Sequence, residues 1–163
     1  MQLKELAFYV TEKIDASKLT KSTFVGVDNM LPEKGGIRDC EYLPKEGLFT
    51  KFVPGDILIG NIRPYFKKIW YADRTGGASS DVLVIRGNSK IDKSYLYCYL
   101  SQDSFFDYDM AGSKGSKMPR GDKNHIMNFE VNRVNNEEII GSFFLNIISK
   151  IQRNKQINDN LAA

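Results

Sequence analysis

The chain has 163 residues, 42% hydrophobic and 12% aromatic, which is enough for one packed domain with an appendage and too apolar for a disordered tail. Its formal charge is +3 and its pI is near 8.8. That balance permits nucleic-acid binding without requiring it, so where the charges cluster matters more than their sum. No stretch approaches the roughly 18 apolar residues of a membrane span, and the N-terminal MQLKELAFYVTEKI carries no long apolar run, so a cytoplasmic protein is expected. Cys40 and Cys98 stand apart with no CxxC and no neighbouring His, and read as small buried hydrophobes of a reduced compartment.

Residues 1–22 are amphipathic and charged, with Leu3, Leu6, Ala7 and Ile14 apolar, and predict a short helix or an irregular lead-in. Thr23–Val27 is a short β-rich run, and the turn-rich Leu31–Arg38 predicts a loop. Pro54-Gly55-Asp56 launches Ile57–Ile62, a strand with few charges and therefore buried. Pro64 cannot donate to a ladder and ends it. Lys67–Ala72 predicts a second strand, Thr75-Gly76-Gly77 a turn, and Asp81–Arg86 (DVLVIR) the clearest strand of the chain. Ser94 is placed to cap a helix over Tyr95–Phe106. A basic loop, Gly112–Lys123, follows. It sets Lys114, Lys117, Arg120 and Lys123 against one acid, Asp122. Asn124–Val134 reads as a returning strand with Ile126 and Val131 in the core.

From Asn135 the pattern is helical to the end. Ile140, Phe144, Ile147, Ile151, Asn154, Asn158 and Leu161 follow a 4-3-4-3-4-3 spacing, the seam of a coiled coil. Ile139, Phe143 and Ile148 widen its first half, as expected where the helix also packs on the domain. An ordinary terminal helix packed on its own domain is the alternative. The polar QRNKQINDN stretch has too few apolar groups to bury itself that way. The fold class expected is α/β in the α+β sense: a mixed-sheet domain over 1–134 and a long helix of coiled-coil type over 135–163.

The catalytic inventory is thin. One histidine, His125, leaves little for a His-based triad or a His metal site, and reads as structural or phosphate-contacting. No Asp or Glu has a Lys two positions later, which argues against a common nuclease metal site. GSKGSKM lacks the spacing of a nucleotide-binding P-loop, with Met118 where a hydroxyl is needed and Pro119 after it. Neither a catalytic residue, a metal nor a cofactor is expected.

Three polar, basic clusters remain as candidate DNA contacts. They are the loop residues Lys114, Lys117, Arg120 and Lys123; Arg63, Lys67 and Lys68, interleaved with Tyr65, Phe66 and Trp70; and the turns around Arg74, Ser79 and Ser80. Lys and Arg neutralise phosphates, and Arg and Ser can read base edges. The three aromatics read as core rather than as stacking platforms.

Four ordered stretches, Phe24–Met30, Gly55–Lys68, Ser79–Val84 and Gly115–Pro119, resemble the target-recognition domain of type I restriction–modification specificity subunits. GDILIGNIRPYFKKI is the most specific of the matching strings, and the terminal KIQRNKQINDNL is similar to the spacer helix of that family. The resemblance implies a non-catalytic, sequence-specific DNA-binding subunit that reads one half of a split target. It also implies docking to modification subunits, which methylate adenine with S-adenosylmethionine, and service to a restriction subunit. Full-length members carry two recognition domains and two spacer helices, and this chain has one of each. It is therefore a natural half-subunit or a fragment, and a half-subunit would pair with a second copy through the C-terminal helix. A protein-interaction module without a DNA role, and a piece of a fused restriction–modification enzyme, are the competing readings.

Overall fold

The computed structural model describes residues 1–163. Strands β1 (Ala7–Tyr9), β5 (Ile57–Gly60), β6 (Ile69–Tyr71) and β8 (Val82–Gly87) form an antiparallel sheet in the order β1-β8-β5-β6. Its two central strands are apolar at nearly every position because both faces are covered. Ile57, Ile59, Leu83 and Ile85 point into a helix-covered core. Leu58, Val82 and Val84 alternate to the other side. There they meet Val25, Phe52 and Ala78 of a second sheet. That sheet contains β2 (Lys13–Asp15), β3 (Phe24–Val25), β4 (Leu48–Phe52) and β7 (Gly76–Ala78) in the order β2-β4-β7-β3. One parallel pair, β3 with β7, makes it mixed.

The lead-in holds a short helix, α1 (Leu3–Leu6), as expected, and then β1 and β2, which were not expected. Four expectations are corrected. Gly76-Gly77 is a strand rather than a turn. A Cβ on Gly76 would lie 2.0 Å from the Thr23 carbonyl oxygen, so the glycine marks close backbone approach. The helix expected over Tyr95–Phe106 is two, α2 (Lys93–Leu100) and α3 (Asp103–Gly112). Asp92, not Ser94, caps α2, accepting from the Tyr95 amide at 2.9 Å. The extended Gln102 between the helices lets the adjacent Phe105 and Phe106 both reach the core. Finally, Asn124–Val134 is not a strand. Asp122 accepts from the Asn124 and His125 amides and caps α4 (Lys123–Met127). The following extended stretch bonds to the N-terminus, Leu3 N to Phe129 O and Val131 N to Met1 O. Ile126 and Val131 are fully buried, as expected.

Helix α5 (Glu137–Ala162) is about 39 Å long at 1.5 Å per residue. Its first half crosses α2 closely at Gly141, where a Cβ would sit 2.1 Å from Ser94 Oγ and 2.4 Å from the Tyr95 nitrogen. Glu137 ties this crossing down, pairing with Arg133 and accepting from the Asp92 amide. Phe144, Leu145 and Ile148 pack on the domain core. Ile139 and Phe143 do not widen that contact. They are 68% and 66% exposed, because they lie on the outward side of the helix.

Candidate nucleic-acid interface

The basic loop is anchored by main-chain bonds. Lys114 and Arg120 exchange both amide–carbonyl bonds at 2.9 Å, closing a turn in which Gly115 takes φ +97°. The Arg63 amide donates to the Pro119 carbonyl at 2.8 Å, and Gly121 N to Asn61 O at 3.2 Å. These bonds seat the loop on the chain leaving β5. Beneath it, Asp109 is fully buried with neither carboxylate oxygen hydrogen-bonded, and Asn61 Oδ1 is also unpaired. A Cβ on Gly121 would lie 2.4 Å from Asp109 Oδ1 and 2.6 Å from Asn61 Oδ1. Only glycine fits between them. Burial pushes the Asp109 carboxyl up to about 6, against a smaller opposing pull from His125.

After β5 the chain makes an unusual arch. Arg63 (φ 52°) and Lys67 (φ 52°) are left-handed non-glycine residues that bracket a 3-10 turn over Pro64–Phe66. Glu33 and Lys34 are left-handed too, and their amides donate to the Phe66 and Lys67 carbonyls at 2.8 Å. Asp103 joins the two loops, accepting from Lys34 at 2.7 Å and Lys67 at 3.0 Å, and the two lysines hold its carboxyl below the usual range.

Loop and arch together form one wall of an open groove of about 560 Å³, and the turn after β3 forms the other. The groove brings together residues of two of the sequence clusters, Arg63 and Lys68 from the arch and Ser79 from the turn before β8, with Met118 of the basic loop, whose four cations lie outside its lining. Phe66, read from the sequence as core, also lines it, as do Asp28 and Asp81, which were not singled out. Nothing in the local sequence marks the two aspartates. Met118 and Phe66 were visible as apolar residues inside basic strings.

The ten candidate contacts differ in how far their charges or hydroxyls are free. Arg120 pairs with Asp81 at 2.8 Å, Lys114 with Asp122 at 2.7 Å, and Lys67 with Asp103. The Lys114 bond, with help from the His125 amide, holds Asp122 down to about 2. Lys68 donates to the Val27 carbonyl at 2.8 Å, and burial lowers its pKa. Lys117 is exposed and has no ion-pair partner, and neither does Arg63, whose Nε is buried without an acceptor. Ser80 is exposed beside the groove. Lys123 lies 5.8 Å from the Tyr9 ring at the start of α4, outside the groove lining. Arg74 is elsewhere. It pairs with Asp73, stacks over Trp70 at 5.6 Å, and lines a separate cleft of about 540 Å³ beside Gln152 of α5. Trp70 is core as expected, but Tyr65 and Phe66 are 45% and 37% exposed.

On α5 the seam residues Ile140, Ile147, Ile151 and Leu161 are exposed, as are Asn154 and Asn158, while Phe144 packs on the Tyr97 ring at 5.5 Å. No helix is long and apolar enough to cross a membrane.

No family model matches the sequence, and no curated relative does. Solved structures do match. The HsdS subunit from Thermoanaerobacter tengcongensis superposes with a TM-score of 0.68 at 19% identity, over 98% of this chain and 44% of that one. The type I restriction-modification S subunit from M. genitalium gives 0.59 at 14% identity, over 98% and 43%. This is the fold of a specificity subunit. A chain from a type I R-M system, solved to explain complex assembly and conformational transition, gives 0.70 at 21% identity, over 99% and 44%. The chain thus spans less than half the length of each structure it matches.

Proposed function

We propose that the chain is a DNA-recognition half of a type I specificity subunit, reading one half of a split target and doing no chemistry itself. Residues 1–134 serve as the recognition domain and 135–163 as the spacer helix. One observation carries this reading: segments far apart in sequence and chosen for their charge converge on a single groove, on a fold shared with solved specificity subunits. Fold alone would not assign a function. In this reading Lys117 and Arg63 supply free cations to phosphates, while Lys114, Arg120 and Lys67 act first as supports through their carboxylate partners. Ser79 and Ser80 sit where hydroxyls can meet DNA. Lys68 contributes charge from the groove. Arg74 and Lys123, placed away from it, are peripheral.

The exposed face of α5, with Ile140, Ile147 and Ile151 in line, is read as the seam for a second helix of a second copy. Modification and restriction subunits are the larger partners in this reading, and the compartment is the cytoplasm.

The test is selection of duplexes from a random pool with the full chain and a modification subunit present, followed by affinity measured against salt. A split motif is expected, with log K falling steeply with log salt. Lys117→Ala should flatten that slope by about 0.9, the effect of one phosphate contact. Binding that no salt concentration weakens would sink the reading.

A further inference from the structure

We infer that Tyr65, Phe66 and Met118 form an apolar wedge that packs against a base step of duplex DNA, so that part of the target is read through how readily it unstacks and bends. The inference rests on the DNA-recognition reading above and adds a second mode of readout to it.

The first observation is the way the aromatics are held out. Trp70, from the same sequence cluster, is 6% exposed, whereas Tyr65, Phe66 and Met118 are 45%, 37% and 50% exposed. An apolar pair next to a core could turn inward. Here the backbone prevents it. The 3-10 turn carrying Tyr65 and Phe66 is bracketed by left-handed Arg63 and Lys67, a conformation that costs an L-residue roughly 1–2 kcal/mol. The arch is kept in this state from outside by the two main-chain bonds from Glu33 and Lys34 and by the Asp103 clamp. Backbone strain that the surroundings over-determine in this way collects at ligand-contacting sites. Met118 reaches the same groove as Phe66 from a different segment, because the Arg63 amide is bonded to Pro119.

The second observation is charge. Arg63 and Lys117, which flank the tip on its two segments, have no anionic partner, and Lys68 is bonded only to a neutral carbonyl. Asp81 on the groove is already paired with Arg120, which leaves Asp28 as the one unpaired carboxylate of the lining. Cations around a small apolar tip match a polyanion whose interior is stacked and apolar. DNA-bending proteins use this combination, inserting Phe or Met between base steps while Arg and Lys hold the backbone. A protein partner fits less well. Three half-exposed side chains offer on the order of 250 Å², against the roughly 800 Å² that each side of a stable protein interface needs.

The experiment uses the full chain and the duplex recovered by selection, labelled for end-to-end energy transfer and with 2-aminopurine at successive steps. The wild type should shorten the end-to-end distance and brighten 2-aminopurine at one step. Phe66→Ala with Met118→Ala should lose both signals and bind at least 10-fold more weakly, at an unchanged salt slope, because an apolar contact releases no counterions. Met118→Ala alone, which leaves the arch intact, should show a partial loss, and Phe66→Leu should retain the bend. A double variant that binds and bends like the wild type overturns the wedge. So does one that binds DNA normally but no longer assembles with a modification subunit, which would make the tip a protein contact. A wild type that binds no duplex at all refutes the recognition reading instead.

Discussion

Asp109 lies under the basic loop with no hydrogen-bond donor for either oxygen, so its ionisation should oppose folding. The folded carboxyl titrates at about 6 against an ordinary value of 3.8, and each pKa unit corresponds to about 1.4 kcal/mol. The difference is about 3 kcal/mol. Its sign follows from the raised value. The folded state binds the proton more tightly, so the contribution is fully present below pH 3.8 and is lost as pH rises through 6. Asp109→Asn removes the titration and offers an amide donor to the neighbouring Asn61 Oδ1 at every pH. In urea unfolding at pH 8 the variant should be more stable than the wild type by up to about 3 kcal/mol. At pH 4 the two should nearly coincide. A variant less stable than the wild type at pH 8, or one that keeps the same pH dependence between 4 and 7, would refute the argument.

Other expectations concern the supports of the site. Asp56 is 1% exposed, accepts from Arg86 at 2.7 and 2.8 Å and from the Val53 amide. Asp56→Ala should therefore cost about 3 kcal/mol in chemical denaturation by leaving Arg86 unpaired. Gly141→Ala should cost about 1–3 kcal/mol, since its Cβ has no room against the start of α2, and a shift in melting temperature would report it. On α5 the two faces should separate cleanly. Ile147→Glu with Ile151→Glu should abolish self-association in sedimentation while leaving the unfolding midpoint nearly unchanged. Ile148→Ala should lower stability by about 1 kcal/mol or more and leave association intact. Association that survives the double glutamate change would remove α5 as the seam.

Much of the scaffold was legible because its signals are local. The strands at Ile57 and Val82 are continuous apolar runs, and the terminal helix keeps one apolar period from Ile140 to Ile151, about three turns. The errors have a common cause. Gly76-Gly77 has the composition of a turn, and only the approach of the Thr23 backbone makes it a strand. Asp92 and Asp122 are caps whose bonds to main-chain amides decide where α2 and α4 begin, and the apolar periodicity around them carries no such information.

For the site, the sequence by itself determined which residues carry charge and which positions of the terminal helix are apolar. Tertiary structure alone decided which of those charges are free. Pairing depends on residues distant in the chain, such as Asp81 for Arg120 and Asp103 for Lys67. It also decided which aromatics face out. Trp70 and Phe66 sit four positions apart in one basic string; packing of β6 against Phe52 of the second sheet buries the first, and a strained turn held by a neighbouring loop exposes the second.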